Sequence, residues 1–198
     1  TLEQLARTYA DWLPSGGLPS SRYVRPQQKL REMELADLVL VPSSFVEKTV
    51  LAQLPNKRLG RAPYGVDLGF WHPESQDCGE RPLRFLYAGQ ISLRKGIPLL
   101  LEAWRKAGLR NAELHLVGMW QLAESKFTSL PGNVCVAAPC SREELRERYF
   151  RADAFVFPSY FEGFGLVLLE AMACGLPALA SDATAGPDVL TADCGQVV

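Results

Sequence analysis

The stretch that decides the fold covers residues 154–173 and reads AFVFPSYFEGFGLVLLEAMA. Its first six residues are apolar enough for a buried strand, and residues 164–174 predict a helix. Gly163 and Gly165 lie where this helix begins, a position whose free backbone N–H groups can bind an anion. Glu162 and Glu170 lie on either side of the glycines. The stretch therefore predicts an anion-binding turn between two carboxylates, which suits a phosphorylated, hydroxyl-rich ligand.

The sequence around this stretch alternates between short apolar runs and helical patterns. Strands are predicted at residues 83–89, 112–118, 133–138, 153–158 and 177–181, and helices at 98–107, 141–151 and 164–174. The helix at 141 opens with a capping box made by Ser141 and Glu144. Strands separated by helices of about ten residues form right-handed βαβ units. We therefore expect an α/β fold with a Rossmann-like, doubly wound parallel sheet.

The first 70 residues are predicted to be the end of a second Rossmann-like unit. The elements expected there are a helix at 23–36, a strand at 37–41, a helix from the capping box Ser44-x-x-Glu47 to residue 54, and a strand at 61–67. Residues 71–82 are polar and contain proline and glycine, which is typical of a linker. The predicted division is a remnant at 1–70, a linker at 71–82 and a Rossmann-like domain at 83–198. Because the chain starts at Thr1 and stops in a strand-like run at 195–198, we expect sequence to be missing at both ends.

The composition is that of an ordinary globular protein, with 47% hydrophobic and 22% charged residues. A net charge of −1 offers no basic surface for a nucleic-acid backbone, so nucleic acid is not an expected partner. Five cysteines without a CxxC pair, together with only two histidines, disfavour a zinc site and are typical of reduced thiols. No run is long and apolar enough for a membrane span. We expect a cytoplasmic protein.

A basic loop follows the first strand of the predicted parallel sheet. Residues 89–96 read GQISLRKG, with Gly89 at the strand end and Arg94 next to Lys95. In open α/β sheets ligands bind at the carboxyl ends of strands, where this loop would lie. Adjacent positive charges suit a diphosphate. The alternative is a solvated basic loop, and neither a GxGxxG fingerprint nor a P-loop is present.

The carboxylates Glu162 and Glu170 have both an ordinary and a functional interpretation. Glu162 on its own fits a surface glutamate stabilised by a helix dipole. Glu170 is harder to explain in that way, because its apolar neighbours leave little polar surface and a buried carboxylate needs partners. The two residues are eight positions apart, slightly over two helical turns, so both would lie on one side if both were helical. We prefer the functional interpretation.

Together these motifs resemble those of the family-4 glycosyltransferases, whose GT-B fold has two facing Rossmann-like domains. The matching motifs are ELADLV at 34–39, Ser43-Ser44, YGVD at 64–67, Gly89, RKG at 94–96, Pro158-Ser159, EGFG at 162–165 and EAMACGLP at 170–177. The resemblance runs from about residue 31 to the end of the chain. Two glutamates eight residues apart with glycines between them form a specific pattern, and it agrees in order with the Lys95-Gly96 loop.

The resemblance implies a retaining, metal-independent enzyme that transfers a hexosyl group from a nucleoside-diphosphate sugar to a hydroxyl acceptor. The donor would be of UDP, GDP or ADP type, the acceptor a carbohydrate or a lipid-linked compound, and no cofactor or metal is expected. The residues that carry over as donor-binding are Gly89, Arg94, Lys95, Glu162, Gly163, Phe164, Gly165, Leu166 and Glu170. This chain would supply the donor-binding half of such an enzyme.

The resemblance also implies a role for the charged residues of the site. Lys95 and a nearby arginine, here Arg94, would contact the diphosphate together with the glycine-flanked turn. Glu162 would contact the transferring sugar, and Glu170 would accept hydrogen bonds from the ribose hydroxyls. Glu162, Lys95 and Arg94 are therefore the expected catalytic residues. The positive charges would stabilise the departing diphosphate without a metal.

The sequence departs from the family pattern in two places. Gln90 stands where the family usually has an arginine, and Arg94 is the candidate replacement. The glycine common before the nucleobase loop is absent from residues 137–140, AAPC, so the base contact there stays unassigned. His72 and His115 match no family histidine, and we interpret them as a surface and a sheet residue.

Family members also carry an N-terminal domain with a glycine-rich loop and a histidine near the reacting carbon. We find neither in this chain, and we therefore expect it to bind nucleotide without turnover. Contact with the inner face of a membrane through the missing part is compatible with a cytoplasmic protein of this kind.

Two alternatives stay open. One is a nucleotide-sugar epimerase of the same architecture, against which the Arg94-Lys95-Gly96 loop argues, and the other is a non-catalytic nucleotide-binding module.

Overall fold

The computed structural model describes residues 1–17, 26–74 and 79–198. The predicted helix start at 23–25 and residues 75–78 of the predicted linker lie outside these ranges. The elements before the linker are α1 (Leu2–Thr8), a 3-10 turn (Ala10–Trp12), α2 (Pro26–Leu35), β1 (Val39–Val41), α3 (Ser44–Leu51) and β2 (Leu59–Arg61). Those after it are β3 (Leu83–Ala88), α4 (Ile97–Ala107), β4 (Ala112–Val117), α5 (Glu124–Thr128), β5 (Val134–Ala137), α6 (Arg142–Phe150), β6 (Ala154–Phe157), α7 (Leu166–Ala173), β7 (Ala178–Ala180), α8 (Gly186–Val189) and β8 (Gly195–Val197).

Strands β3 to β8 form a six-stranded sheet in the order β5-β4-β3-β6-β7-β8, and its neighbouring strands are parallel. The chain moves outward from β3 to β4 and β5, and α6 then carries it back past β3 to β6. The strand order therefore reverses between β3 and β6. In such sheets ligands bind at the carboxyl ends of the strands at this point. The predicted α/β fold with a Rossmann-like, doubly wound parallel sheet is confirmed.

The helices of this part form close to their predicted positions. α6 has the predicted capping box, in which Ser141 Oγ accepts from the Glu144 N–H at 3.2 Å. α7 begins at Leu166, later than predicted, because Gly165 before it has a left-handed backbone with φ 92°. The short helices α5 and α8 were not predicted, since so few residues show no helical period. Within the described ranges, the structure contains no helix with the length and hydropathy of a membrane span.

The elements before the linker include a separate sheet, in which β1 and β2 run parallel. The predicted strand at 61–67 is wrong, because β2 ends at Arg61, opposite Val41 at the end of β1. Beyond this point there is no partner strand in the described part of the chain, and Pro63 has no N–H to donate to a ladder. Residues 62–67 therefore form an irregular connection.

The start of α3 also differs from its prediction. Ser43, not Ser44, is the N-cap: its backbone is extended, with φ −146° and ψ 161°, and its Oγ accepts from the Val46 N–H at 3.3 Å. The predicted capping box named the wrong serine because Ser43 and Ser44 are adjacent and both precede an apolar run. The helix itself lies within its predicted range.

Alternate residues of the strands build a core on each face of the six-stranded sheet. Leu86 of β3 and Phe155 of β6 belong to one buried cluster, together with Tyr149, Phe157 and Leu168. The second cluster lies on the other face and contains Tyr87, Ile97, Leu101, Leu114 and Val156. Both faces are therefore covered, as a parallel sheet requires.

The core includes residues that the sequence places outside it. Trp71, predicted to begin the linker, is 1% exposed, and its ring centroid lies 5.6 Å from that of Tyr149. Tyr9 and Trp12, from the predicted remnant, pack in the cluster of Ile97. Trp71 is therefore a core residue, because its ring is buried by Tyr149 and the sheet. The division of the chain at residues 70 and 82 stays a prediction.

Truncation of Trp71 tests its place in the core. Because a buried tryptophan replaced by alanine leaves a cavity, we expect Trp71→Ala to lower the free energy of unfolding by about 3–5 kcal/mol. Urea denaturation measures this change, and His72→Ala, at an exposed neighbouring position, is the control with a small effect. A loss below about 1 kcal/mol for Trp71→Ala would contradict its place in the core.

Candidate functional site

A groove runs along the carboxyl ends of β3 and β6, where the strand order reverses. Its main part is a cleft of about 460 Å³ lined by Pro42, Tyr64, Ala88, Gly89, Lys95, Glu162, Gly163, Phe164, Gly165, Leu166 and Val167. A second cavity of about 360 Å³ adjoins it and shares Ala88, Gly89 and Val167; its other lining residues are Gln90, Val117, Gly118, Met119, Pro139, Cys140 and Leu145. All predicted donor-binding residues except Arg94 and Glu170 therefore line the main cleft.

Glu162 joins the loop after β6 to the loop after β3. Its Oε2 accepts hydrogen bonds from Lys95 Nζ and from Arg94 Nη1, the latter at 2.7 Å. Arg94 also donates to the Phe161 carbonyl at 3.3 Å, and the Tyr160 N–H donates to the Arg94 carbonyl at 3.0 Å. The three residues predicted to be catalytic thus lie together, although they come from different strand ends.

The close approach of these two loops requires glycine at position 96. Gly96 follows Lys95 directly and has φ 71°. A Cβ atom there would lie 1.9 Å from the Pro158 carbonyl oxygen, a distance that no side chain tolerates. Gly96 therefore allows the Lys95 loop to pack against the strand end that leads to Glu162.

The cluster of Arg94, Lys95 and Glu162 has a surplus of positive charge. Burial acts to raise the pKa of Glu162, but the hydrogen bond and charge of Lys95, with those of Arg94, lower the pKa of Glu162 overall. Burial lowers the pKa of Lys95, and its hydrogen bond to Glu162 only partly opposes this. Two cations beside one carboxylate attract an anion into the cleft.

The turn before α7 offers backbone N–H groups to the cleft. Gly165 precedes the helix with φ 92°, and a Cβ atom there would lie 2.4 Å from the Phe157 ring. Among the described residues, the N–H groups of Gly165, Leu166 and Val167 have no protein acceptor. A helix start with free N–H groups and no capping side chain is suited to binding an anion.

Glu170 lies further along α7 and contacts Tyr149. Its Oε2 accepts from the Tyr149 hydroxyl at 3.4 Å, which is a long hydrogen bond. Burial raises the pKa of Glu170, and the Tyr149 hydrogen bond and the charge of Arg142 offset this only in part. Glu162 and Glu170 do not share a helical face, because Glu162 precedes the helix. Glu170 keeps lone pairs that can accept from the hydroxyl groups of a ligand.

Residues of the two-stranded unit, to which the sequence assigned no contact in the site, form one wall of the cleft. Pro42 and Tyr64 line it, and the Tyr64 ring packs edge-on against Phe164 with centroids 5.3 Å apart. Ser43 Oγ donates to the Gly163 carbonyl at 2.6 Å. The sequence does contain a signal that could have indicated Ser43 and Tyr64 as residues of the site, because both belong to motifs that match the family.

The histidines lie away from the groove. His115 Nε2 is 2.9 Å from Glu113 Oε2 in the sheet, and His72 Nδ1 is 3.2 Å from the Pro73 carbonyl oxygen. Across the described ranges, no group of three or more His, Cys, Asp and Glu residues is arranged to hold a metal ion.

A parallel sheet with a groove at its switch point is the arrangement of ligand-binding, doubly wound α/β proteins. Within that class, residues 72–195 match the family model described as glycosyl transferases group 1. The match covers more than half of the chain, and the chain belongs to this family. The identification as a family-4 glycosyltransferase with the GT-B fold is thereby confirmed.

Similar proteins agree with this assignment. Sulfoquinovosyl transferase SQD2 of Arabidopsis thaliana is 32% identical over 173 residues, 80% of this chain and 33% of SQD2. O-antigen chain mannosyltransferase B of Escherichia coli is 36% identical over 123 residues, 57% of this chain and 32% of that protein. The chain therefore spans about a third of the length of these two relatives.

Solved structures show the same fold. Sucrose-phosphate synthase from Thermosynechococcus elongatus has a TM-score of 0.72 and 27% identity, covering 91% of this chain and 51% of that one. HepE of Anabaena, solved with UDP-glucose, has a TM-score of 0.71 and 18% identity, covering 87% of this chain and 54% of HepE. At that identity the likeness to HepE concerns the fold alone.

Replacing Glu170 by glutamine tests whether the ionised carboxylate of Glu170 destabilises the folded chain. Because burial raises the pKa of Glu170 above 4.5, the ionised form destabilises the fold at neutral pH, and this penalty vanishes as the pH falls below 4.5. We expect Glu170→Gln to raise the melting temperature at pH 7 by roughly 1–3 °C, since ~1 kcal/mol corresponds to about 2–4 °C in a chain of this size.

The control for this measurement is Glu80→Gln, at an exposed position outside the helices, which should leave the melting temperature unchanged. The increase for Glu170→Gln should be nearly absent at about pH 4, where the carboxyl is mostly protonated in both the folded and the unfolded state. A lower melting temperature for Glu170→Gln at pH 7 would show instead that the carboxylate stabilises the fold.

Proposed function

We propose that the chain supplies the donor-binding half of a glycosyltransferase that moves a hexosyl group from a nucleoside-diphosphate sugar to a hydroxyl acceptor. Retention of the anomeric configuration and independence of metal ions are part of the proposal, as are the boundaries at 1–70, 71–82 and 83–198. The observation that carries it is that Lys95, Glu162 and the free N–H groups at the start of α7 line one cleft, with Arg94 paired to Glu162. Membership of the family supports a nucleotide-sugar donor.

The diphosphate lies between the start of α7 and the basic loop in this proposal. The N–H groups of Gly165 and Leu166 donate to its oxygens, and Lys95 and Arg94 supply charge. Hydrogen bonds to charged groups contribute about 1.5–3 kcal/mol each, enough to fix the donor. The position of Arg94, 2.7 Å from Glu162, supports it as the replacement for the arginine that the family usually has at Gln90.

Glu162 binds the transferring sugar while it stays paired with the basic loop. Lys95 and Arg94 both contact Oε2, and Oε1 has no donor among the described residues. A carboxylate oxygen can accept two hydrogen bonds, so Oε1 is free for a sugar hydroxyl. Because the cations lower its pKa, Glu162 is ionised at neutral pH and accepts strongly.

The nucleoside occupies the second cavity. This cavity of about 360 Å³ adjoins the diphosphate position at Gly89 and Val167 and has room for a base. Its wall includes Pro139 and Cys140, from the segment where the usual family glycine is missing. Glu170 accepts from the ribose hydroxyls, a role supported by its raised pKa and its single long hydrogen bond.

The chemical contribution of the site is electrostatic. When the bond from sugar to phosphate breaks, negative charge develops on the departing diphosphate. Lys95, Arg94 and the start of α7 already lie around that position, and such preorganised stabilisation usually accelerates a reaction more than any other single effect. Two cations therefore supply the charge that a bound metal ion supplies in other transferases.

The acceptor in this proposal is a carbohydrate or a lipid-linked hydroxyl compound. The reaction takes place in the cytoplasm, and contact of the enzyme with the inner face of the membrane is compatible with such an acceptor. Cys135, Cys140, Cys174 and Cys194 are free thiols in the described part of the chain, which supports a reducing compartment.

Titration calorimetry with UDP, GDP and ADP tests whether the groove is a nucleotide site. We expect at least one of them to bind with a Kd of about 1 μM to 1 mM, or ~4–8 kcal/mol of binding free energy. If none of the three binds at millimolar concentration, the donor-binding proposal is wrong.

Two variants assign parts of the ligand to parts of the groove. Glu170→Ala should weaken binding of the nucleoside diphosphate about tenfold to hundredfold, through lost ribose hydrogen bonds, and leave inorganic pyrophosphate binding unchanged. Lys95→Ala is the matched variant. It should weaken the binding of both ligands, because it removes a positive charge next to the diphosphate. An equal loss of both ligands in Glu170→Ala would remove Glu170 from the ribose.

A further inference from the structure

Ser43 belongs to the two-stranded unit, yet it directly contacts the turn before α7. The residue is buried, with 1% of its surface exposed. Its Oγ donates to the Gly163 carbonyl at 2.6 Å and accepts from the Val46 N–H at 3.3 Å. A serine hydroxyl has one hydrogen to donate and lone pairs to accept, so both bonds form at once. The same atom therefore caps α3 and holds Gly163.

The bond to Ser43 fixes the peptide group between Gly163 and Phe164. In a trans peptide the C=O and N–H groups point in opposite directions, so anchoring the Gly163 carbonyl turns the Phe164 N–H away from Ser43. That N–H has no protein acceptor in the described part of the chain and is available to a ligand. Because glycine has an unusually free backbone, nothing in Gly163 itself prevents this peptide from rotating.

Rotation of this peptide would replace the N–H group that faces an anion, which carries a partial positive charge, by a carbonyl oxygen with a partial negative charge. A carbonyl oxygen that replaced an N–H beside a phosphate would repel it, whereas the N–H would bind it. The hydroxyl of Ser43 therefore selects the peptide orientation that favours an anion at the start of α7.

Neighbouring contacts keep Ser43 in its place beside the turn. The Ser44 N–H donates to Asp188 Oδ2 at 2.7 Å, and Asp188 Oδ1 lies 3.0 Å from Arg61 Nη1. Asp188 is on α8, whereas Ser44 and Arg61 belong to the two-stranded unit. The unit is thus attached to the six-stranded part next to the turn, and Ser43 is held at the distance its hydrogen bond needs.

We propose that Ser43 is a positioning residue of the diphosphate site, which acts through Gly163 and couples anion binding at the start of α7 to the placement of the two-stranded unit. This inference rests on the proposed function, because the anion is the diphosphate of the donor. A movement that separates the unit from the turn breaks the Ser43 bond and lowers the affinity for the diphosphate.

Ser43→Gly separates this role from helix capping, because glycine is accepted at an N-cap but carries no hydroxyl. We expect the variant to bind inorganic pyrophosphate and the best-bound nucleoside diphosphate about threefold to tenfold more weakly, by the same factor for both, as the loss of one hydrogen bond implies. Ser43→Thr keeps the hydroxyl and should keep the affinity. Ser44→Ala is the matched control, since the Ser44 contact with Asp188 is made by the backbone.

A melting curve for each variant, measured beside the titration, distinguishes positioning from stability. Unchanged pyrophosphate affinity in a folded Ser43→Gly would overturn the inference and leave Ser43 as a helix cap. Should Ser43→Gly not fold, Ser43→Cys decides the same question, because a thiol of similar size is a weak donor. If the unaltered chain binds neither ligand, the proposed function fails and the inference with it; if the unaltered chain binds and Ser43→Gly binds equally well, only the inference fails.

Discussion

The hydrogen-bonded ion pairs between Glu162 and the Arg94-Lys95 loop hold the groove together. They connect the ends of β3 and β6, the two strands between which the sheet reverses its order. Without Glu162 two cations would lie side by side in a partly buried place, and without them burial would raise the pKa of Glu162. Each charge thus depends on the others, and the surplus positive charge is left for a ligand. Removing one charged partner of such a cluster lowers the stability of the fold by more than the whole cluster contributes to it, because an unpaired charge is left partly buried.

Several features of the groove are unfavourable in the free chain, and the proposed function gives them a use, because an anion with hydroxyl groups would satisfy them. The N–H groups at the start of α7 lack protein acceptors among the described residues, and the carboxylate of Glu170 has a raised pKa and one long hydrogen bond. Functional sites commonly break such local rules, and the rest of the fold compensates. Here the compensation comes from the clusters on both faces of the sheet, where residues such as Tyr149 and Phe157 are fully buried.

The parallel sheet could be predicted from the sequence, because each strand and helix after residue 83 has a local pattern of its own. The meeting of the Lys95 loop with Glu162 also follows, since the carboxyl ends of parallel strands share one edge. The burial of Trp71 could not be predicted, because the residues that follow it are polar and contain proline, and its partner Tyr149 is distant in the sequence. The bond from Ser43 to Gly163 joins residues 120 positions apart, and no local pattern indicates it.

A crystal structure of the chain with its best-bound nucleoside diphosphate tests the central claim most directly: that the start of α7 and the Lys95 loop hold a diphosphate. The account predicts phosphate oxygens about 2.7–3.2 Å from the backbone nitrogens of Gly165 and Leu166 and from Lys95 Nζ, with the ribose hydroxyls against Glu170. A nucleotide bound elsewhere on the chain, with this groove left free, would contradict it.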